Sequence, residues 1–309
     1  MPRLMAIRLL GGIATLLAAS MLIFATVEFL PGDAASAYLG RDATPAAAKQ
    51  LRHEFGLDRP ITTRYADWIW SVMHGDLGKS PANDVRVSTL IGARVGNSAV
   101  LVGITLLLLI PLSLLVGTVA ALRRGSPLDT AIQLATLATV ALPEFVVGIA
   151  FILVFAFVWR LLPAVSFELS VRTLILPVAT LLVVSFAYTA RMVRAGVVGV
   201  LEQEFVDMAR LKGLPERLVI RRHVLPNALV PSVQAFALTA AWMPGGIIII
   251  ESLFGFPGMG LGLVQAVSAR DTPTVEALTL IVATVYVIAN LLSDIFTVLA
   301  TPRLRTQLA

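Results

Sequence analysis

Residues 95–122 contain no charged side chain, and Arg94 and Arg123 close the run at its two ends. About 20 mainly apolar residues are enough to cross a bilayer as a helix. Five further stretches follow the same rule. They lie between Arg8 and Glu28, Asp129 and Arg160, Arg172 and Arg191, Arg222 and Glu251, and Glu276 and Asp294. Only Glu144 interrupts the Asp129–Arg160 stretch. Backbone in lipid must satisfy its own hydrogen bonds, so these stretches predict helices. The expectation is an all-α membrane protein with six transmembrane helices and both termini on one side.

Composition points the same way. The chain is 57% hydrophobic and 14% charged, with a mean hydropathy of +0.87. A soluble domain is about half apolar and a quarter charged. No cysteine is present, which excludes disulfides, thiol catalysis and thiolate metal sites. His53, His74 and His223 are too scattered to suggest a metal centre. The net charge of +5 is read as basic loops at one membrane face, with no nucleic acid as partner.

The basic residues orient the topology. Arg3, Arg8, Arg123, Arg124, Arg191, Arg194, Arg210, Lys212, Arg217, Arg221, Arg222, Arg303 and Arg305 all fall on one side. The acids on those loops are Asp129, Glu202, Glu204, Asp207 and Glu216. Residues 31–94 carry nearly balanced charge. By the positive-inside rule both termini are cytoplasmic and 31–94 faces outward. The expected divisions are 1–30 as a first transmembrane helix, 31–94 as an extracytoplasmic segment, and 95–309 as the main membrane domain. The opening could be a signal peptide with an A-x-A-like site at Ala35-Ser36-Ala37. Its apolar run Leu9–Val27 is longer than a usual signal core, so an uncleaved span is preferred.

Within the outer segment, Thr44 reads as an N-cap, Pro45 as a first helical residue and Gly56 as a stop. "TTRYADWIWSVMHGDLG" reads as a second helix, with Trp68 and Trp70 suited to the interface. "HGDLGKS" is not a phosphate loop, because Met73 stands where the first glycine belongs.

Acids at bilayer depth suggest a pathway or a relay. Glu28, Glu251 and Asp294 fall near span ends, where interface placement explains them. Glu144 lies inside the third span and follows Pro143, which kinks a helix. It reads either as the lining of a cavity or as a carboxyl packed between helices. The stretch "ESLFGFPGMG" is too rich in Gly and Pro for a lipid-facing helix. Pro143, Glu144, Glu251, Phe254 and Pro257 are therefore candidates for a translocation path.

Between two apolar spans stands "EFVDMARLKGLPERLVIRRHVLPNALVPSV". Arg191–Val206 should extend the fourth helix. Gly213 should end it, Pro215 and Glu216 should start a short helix, and Pro226 should stop that one. Leu218, Val219, Val224 and Leu225 give the short helix apolar positions, and Arg217, Arg221 and Arg222 ring it. Either anionic lipid or a groove on a partner would suit such a surface.

"DMARLKGLPERLVIRRHVLP" resembles the EAA motif of membrane subunits of ATP-binding-cassette importers, here within about 199–229. Asp207, Ala209, Gly213 and Leu225-Pro226 fall at the required spacings, while Asp207, Met208 and His223 depart from Glu, Ala and Ile. "LILPVATL", "RHVLPNALVP", "ESLFGFPGMG", "ARDTPTV", "EFGLDRPITTRYADWI", "HGDLGKS", "LPGDAA" and "TPRLR" are similar to the B-type permease of dipeptide, oligopeptide and nickel importers. Thr301 stands where that family has Asp. The resemblance implies a type I importer permease fold in a prokaryotic inner membrane. It implies that Asp207, Ala209, Gly213, Leu214, Glu216, Arg217, Leu218, Arg221 and Arg222 form a cytoplasmic coupling helix that docks on an ATPase. It also implies a second permease subunit, two ATPases that hydrolyse ATP, and an extracytoplasmic binding protein. No catalysis and no bound cofactor are expected of this chain. The alternative is an ion-driven transporter with Glu144 and Asp294 as its relay. An intramembrane enzyme lacks a nucleophile and base at one depth.

Overall fold

The computed structural model describes residues 2–28, 44–54, 56 and 58–300. The Ala35–Ala37 site, "LPGDAA", Thr301 and the tail lie outside the described residues. Those described are helical, apart from turns and an isolated antiparallel bridge between Lys79 and Arg86.

Helix α1 spans Pro2–Glu28. Helix α2 covers Pro45–Glu54, where the Ala47 N–H donates to Thr44 Oγ1 at 3.3 Å. Gly56 follows at φ +64. Helix α3 is Ile61–Met73. Helix α4, Val87–Leu122, holds the charge-free run and is 36 residues long. At 1.5 Å per residue it reaches about 54 Å, well beyond a hydrocarbon core of about 30 Å.

The third span is not one rod. Helix α5 covers Pro127–Val140 and helix α6 covers Glu144–Phe151, widening into π-turns over Ile152–Val158. The two are bent by 103°. Pro143 cannot donate to the preceding turn and holds extended geometry at φ −60, ψ 145. Among the described residues five helices are thus long and apolar enough to span, or six if the bent pair counts as one.

Helix α7, Val171–Leu201, lies at the centre and touches α4, α5 and α6. It packs tightly against α4 at Gly117. A Cβ there would stand 2.7 Å from the Ala190 carbonyl and 2.8 Å from Val193 Cβ. Glu202 leaves the helix, and helix α8 begins again at Glu204–Leu211. The expectation of one helix from Arg191 to Val206 is therefore corrected. Gln203 at ψ 141 breaks it, and Arg124 pairs with the exposed Glu202 at the break.

Helix α9 is Glu216–Val219. It does not stop before Pro226. The chain passes through π-turns at Ile220–Val224 into helix α10, Leu225–Phe254, which also packs against α7. The Leu225 N–H donates to the Ile220 carbonyl, five residues back. This widened turn brings Pro226 into the first turn of α10, where a missing N–H costs least. Helices α11, Met259–Ser268, and α12, Thr272–Ala300, complete the set.

The two ends of the bundle are pinned differently. At one end Arg8 meets Asp294 at 3.0 Å, joining α1 to α12. At the other, Arg64 reaches Glu28 at 2.6 Å and Tyr65 shares a 2.8 Å hydrogen bond with Ser20. The rings of Phe24, Tyr65 and Trp68 pack together in edge-on and tilted contacts beside it. Buried Ser80 donates to Asp271, which ties "HGDLGKS" to the start of α12.

Candidate functional site

Helix α8 ends in a turn that needs glycine. Gly213 takes φ +75, its N–H donates to the Arg210 carbonyl at 2.9 Å, and the Leu214 N–H donates to the Ala209 carbonyl at 3.4 Å. These are the two bonds of a Schellman motif, with Gly at the left-handed position. Pro215 then opens α9, its carbonyl accepting from the N–H groups of Leu218 at 2.8 Å and Val219 at 3.1 Å.

The turn sorts its neighbours onto two faces. Val206, Ala209, Val219 and Val224 are buried with Val193, Val197 and Ala228 of the long helices. Leu214 packs against that cluster. Met208, Leu211 and Leu218 are exposed, and Leu211 is 81% accessible. Arg217, Arg221 and Arg222 are exposed beside them. The exposed face is thus an apolar patch with a basic rim, held by a buried apolar underside.

Arg210 braces the turn. Its guanidinium donates to Glu216 at 2.8 and 3.2 Å and to Asp207 at 3.3 Å. The hydrogen bonds it makes to Glu216 are the largest cause that raises the Arg210 pKa. Asp207 keeps its carboxylate largely in solvent.

The path candidates separate in space. Pro143 is exposed at the bend, and Glu144 opens α6 directly after it. Glu144 lines a cavity of about 500 Å³ between α5, α6, α7 and α10. Glu251, near the end of α10, does not line that cavity. It is wholly buried and accepts from Ser98 Oγ at 2.6 Å and from the N–H groups of Gly260 at 2.6 Å and Leu261 at 3.3 Å. Gly255, at φ +62, ends α10 and turns the chain back under Glu251. The first N–H groups of α11 have no partners within their own helix, and this carboxylate supplies one. Phe254 is wholly buried too, and the Pro257 carbonyl accepts from Asn97 Nδ2 at 2.9 Å.

Sequence reasoning missed the other walls of the cavity. Ser185 and Tyr188 of α7, and Thr239, Trp242 and Gly246 of α10, join Glu144 there. Their spacing of three or four is a weak signal that any buried helix face shows. Asp294 pairs with Arg8 and is not a lining residue, so no Glu144–Asp294 relay is assembled. Among the described residues no cluster of His, Asp or Glu could hold a metal ion.

Comparison with known proteins places these features in a family. The family described as "Binding-protein-dependent transport system inner membrane component" matches residues 113–306, and its N-terminal counterpart matches residues 1–95. A putative peptide transport system permease protein of Brucella abortus (strain 2308) is 32% identical over 305 residues, covering 96% of this chain and 97% of its own. A glutathione transport system permease protein of Pectobacterium atrosepticum is 32% identical over 298 residues, with the same coverage. The crystal structure of an amino acid ABC transporter with histidines superposes with a TM-score of 0.53 at 17% identity, over 68% of this chain and 94% of that one. That likeness concerns the fold, a type I importer permease fold.

Proposed function

We propose that this chain, which belongs to the family of binding-protein-dependent transport system inner membrane components, forms half of the pore of an ATP-driven peptide importer. It is a multi-pass inner-membrane permease of an ABC transporter, a transport component and not a catalyst. Such a component works with an ATPase and a substrate-binding protein. The finer assignment is a related second permease, two cytoplasmic ATPases and an extracytoplasmic binding protein. Peptide as cargo rests on what relatives such as that of Brucella abortus are named for. The basic end of the bundle is assigned to the cytoplasm by its excess of Arg and Lys.

One observation carries the mechanism. The turn at Gly213 presents Met208, Leu211 and Leu218 outward while Val206, Ala209, Val219 and Val224 anchor it to α7 and α10. An exposed apolar patch on a short helix suits a groove on a partner. Because α9 runs without interruption into α10, a push on that patch moves α10. Helix α10 walls the Glu144 cavity and carries Glu251. ATP closing the paired ATPases would thus shift the spans between two arrangements. Asp207, Ala209, Gly213, Leu214, Glu216, Arg217, Leu218, Arg221 and Arg222 form the docking segment in this reading. Pro143 and Glu144 lie on the path, with Glu251, Phe254 and Pro257 as buried support beside it.

The test is Leu218→Asp, which puts a charge in the centre of the patch. Membrane insertion should persist while co-purification of the ATPase, stimulated ATP hydrolysis and peptide uptake fall together. Full uptake with normal co-purification would defeat the docking reading.

A further inference from the structure

The bend at Pro143 leaves Glu144 with an unusual environment. Its carboxylate lies against the backbone of Gly246, with Oε2 2.8 Å and Oε1 3.0 Å from where a Cβ would stand. Glycine at 246 is what lets the acid reach α10. Oε2 is the one buried side-chain polar atom without a hydrogen-bond partner among the described residues. A buried acceptor left unpaired is costly, and a buried charge more so.

The cavity around it has the walls of a cation site. Leu181, Leu238 and Met243 make it apolar, and none of its lining residues is Lys or Arg. The backbone N–H groups at the start of α6 support an anion at Glu144. Tyr188 and Trp242 stand at the cavity with exposed rings, and Trp242 is 72% accessible. Aromatic faces attract ammonium groups. Ser185 and Thr239 add hydroxyl groups to the lining. At about 500 Å³ the space falls within the range of about 300–1,000 Å³ typical of small-molecule sites.

We propose that this cavity is a cargo subsite that takes the protonated primary amine of a short peptide, with Glu144 as its counter-ion. The peptide as ligand rests on the function proposed above; the ammonium preference rests on the cavity. The ammonium supplies the donors that Oε2 lacks, and the aromatic rim covers it. Helix α10 then serves two purposes: it carries the docking segment at one end and lines the subsite near the middle. Movement of α10 would open or close the space around the amine.

The test uses the assembled transporter in nanodiscs without its binding protein. This chain has no cysteine, so Ser185→Cys is a single reporter in it. Its reaction with a small neutral thiol reagent is followed by mass on this chain. Trialanine and butylammonium should slow the reaction, and N-acetyl-trialanine should not. Adding Glu144→Gln should weaken protection by about tenfold or more, the fold-change one charge-assisted hydrogen bond carries. Equal protection by the acetylated peptide, or full protection with Glu144→Gln, would overturn the subsite. So would a reporter thiol that stays unreactive in every nucleotide state, which would mean that a second subunit fills the space. Glu144-dependent protection by butylammonium but not trialanine would keep the ammonium subsite and remove the peptide reading. Normal trialanine uptake by intact cells carrying the Glu144→Gln transporter, with no protection of the nanodisc reporter in any variant, would keep the peptide importer and remove the subsite.

Discussion

Arg194 and Asp129 meet in a two-point ion pair. Nε lies 2.7 Å from Oδ1, and Nη2 lies 2.7 Å from Oδ2. Asp129 also accepts from the Gly125 N–H at 3.0 Å, so one carboxylate ties the 123–126 turn and α5 to α7. Both side chains are largely buried, at 5% exposure for Asp129 and 18% for Arg194.

Removing one member should cost more than removing both. Asp129→Ala leaves a guanidinium without its partner, and such breaks cost about 3 kcal/mol or more. Pairing Asp129→Ala with Arg194→Met removes the stranded charge and keeps the bulk. Thermal unfolding of the purified transporter should show the single variant well below wild type and the double variant recovering part of the loss. A double variant lower than the single one would show that the pair acts through something besides its charges.

Glu251 predicts a graded series. Glu251→Ala orphans the Gly260 N–H and empties the space above Gly258 and Gly260, where the carboxylate lies. Each orphaned group costs about 1–3 kcal/mol. Glu251→Gln keeps one acceptor for Gly260, and its amide can donate to Ser98 Oγ. Glu251→Gln should therefore hold expression and assembly near wild type, and Glu251→Ala should lose both. Equal loss in the two variants would mean that the charge itself is required.

The spans were legible because apolar length alone marks them. The Gly213–Pro215 turn was legible because only glycine suits φ +75 and proline suits a first turn. What escaped depends on contacts remote in sequence. A proline announces a kink, but the 103° bend at Pro143 is set by what α5 and α6 each pack against. Pro226 reads locally as a stop, yet buried Val219 and Val224 hold the chain helical through a widened turn. That Glu251 is buried and holds the start of α11 escaped because its partners Ser98 and Gly260 lie on other helices. The cavity around Glu144 draws on three separate segments, and only the acid stood out in advance.

The proposed sidedness rests on the charge bias and is checked by labelling. Asp84 belongs to residues 31–94, the proposed outer segment, and its side chain is 82% exposed. Arg124 sits in the turn after α4, on the basic end, with its side chain 59% exposed. An impermeant maleimide on intact cells should label Asp84→Cys and spare Arg124→Cys. Disruption of the cells should expose the second. The reverse pattern would invert the proposed orientation.

Gly213 separates backbone geometry from packing. A Cβ built there meets nothing within 4 Å, so space does not forbid a side chain. The restriction is the left-handed backbone, which costs an ordinary L-residue about 1–2 kcal/mol. Asparagine tolerates that region better than alanine, and β-branched valine tolerates it worst. ATPase stimulation should therefore decline from wild type through Gly213→Asn and Gly213→Ala to Gly213→Val. The underside residues Val206, Ala209 and Val219 stay in place, so insertion and expression should hold across the series. A helix-to-turn geometry that relaxes would displace Leu218 and Arg217 relative to Met208, and only coupling should register it. Equal stimulation in all three variants would show that the Schellman turn does not set the docking face. Loss of expression in step with coupling would show that it acts through stability.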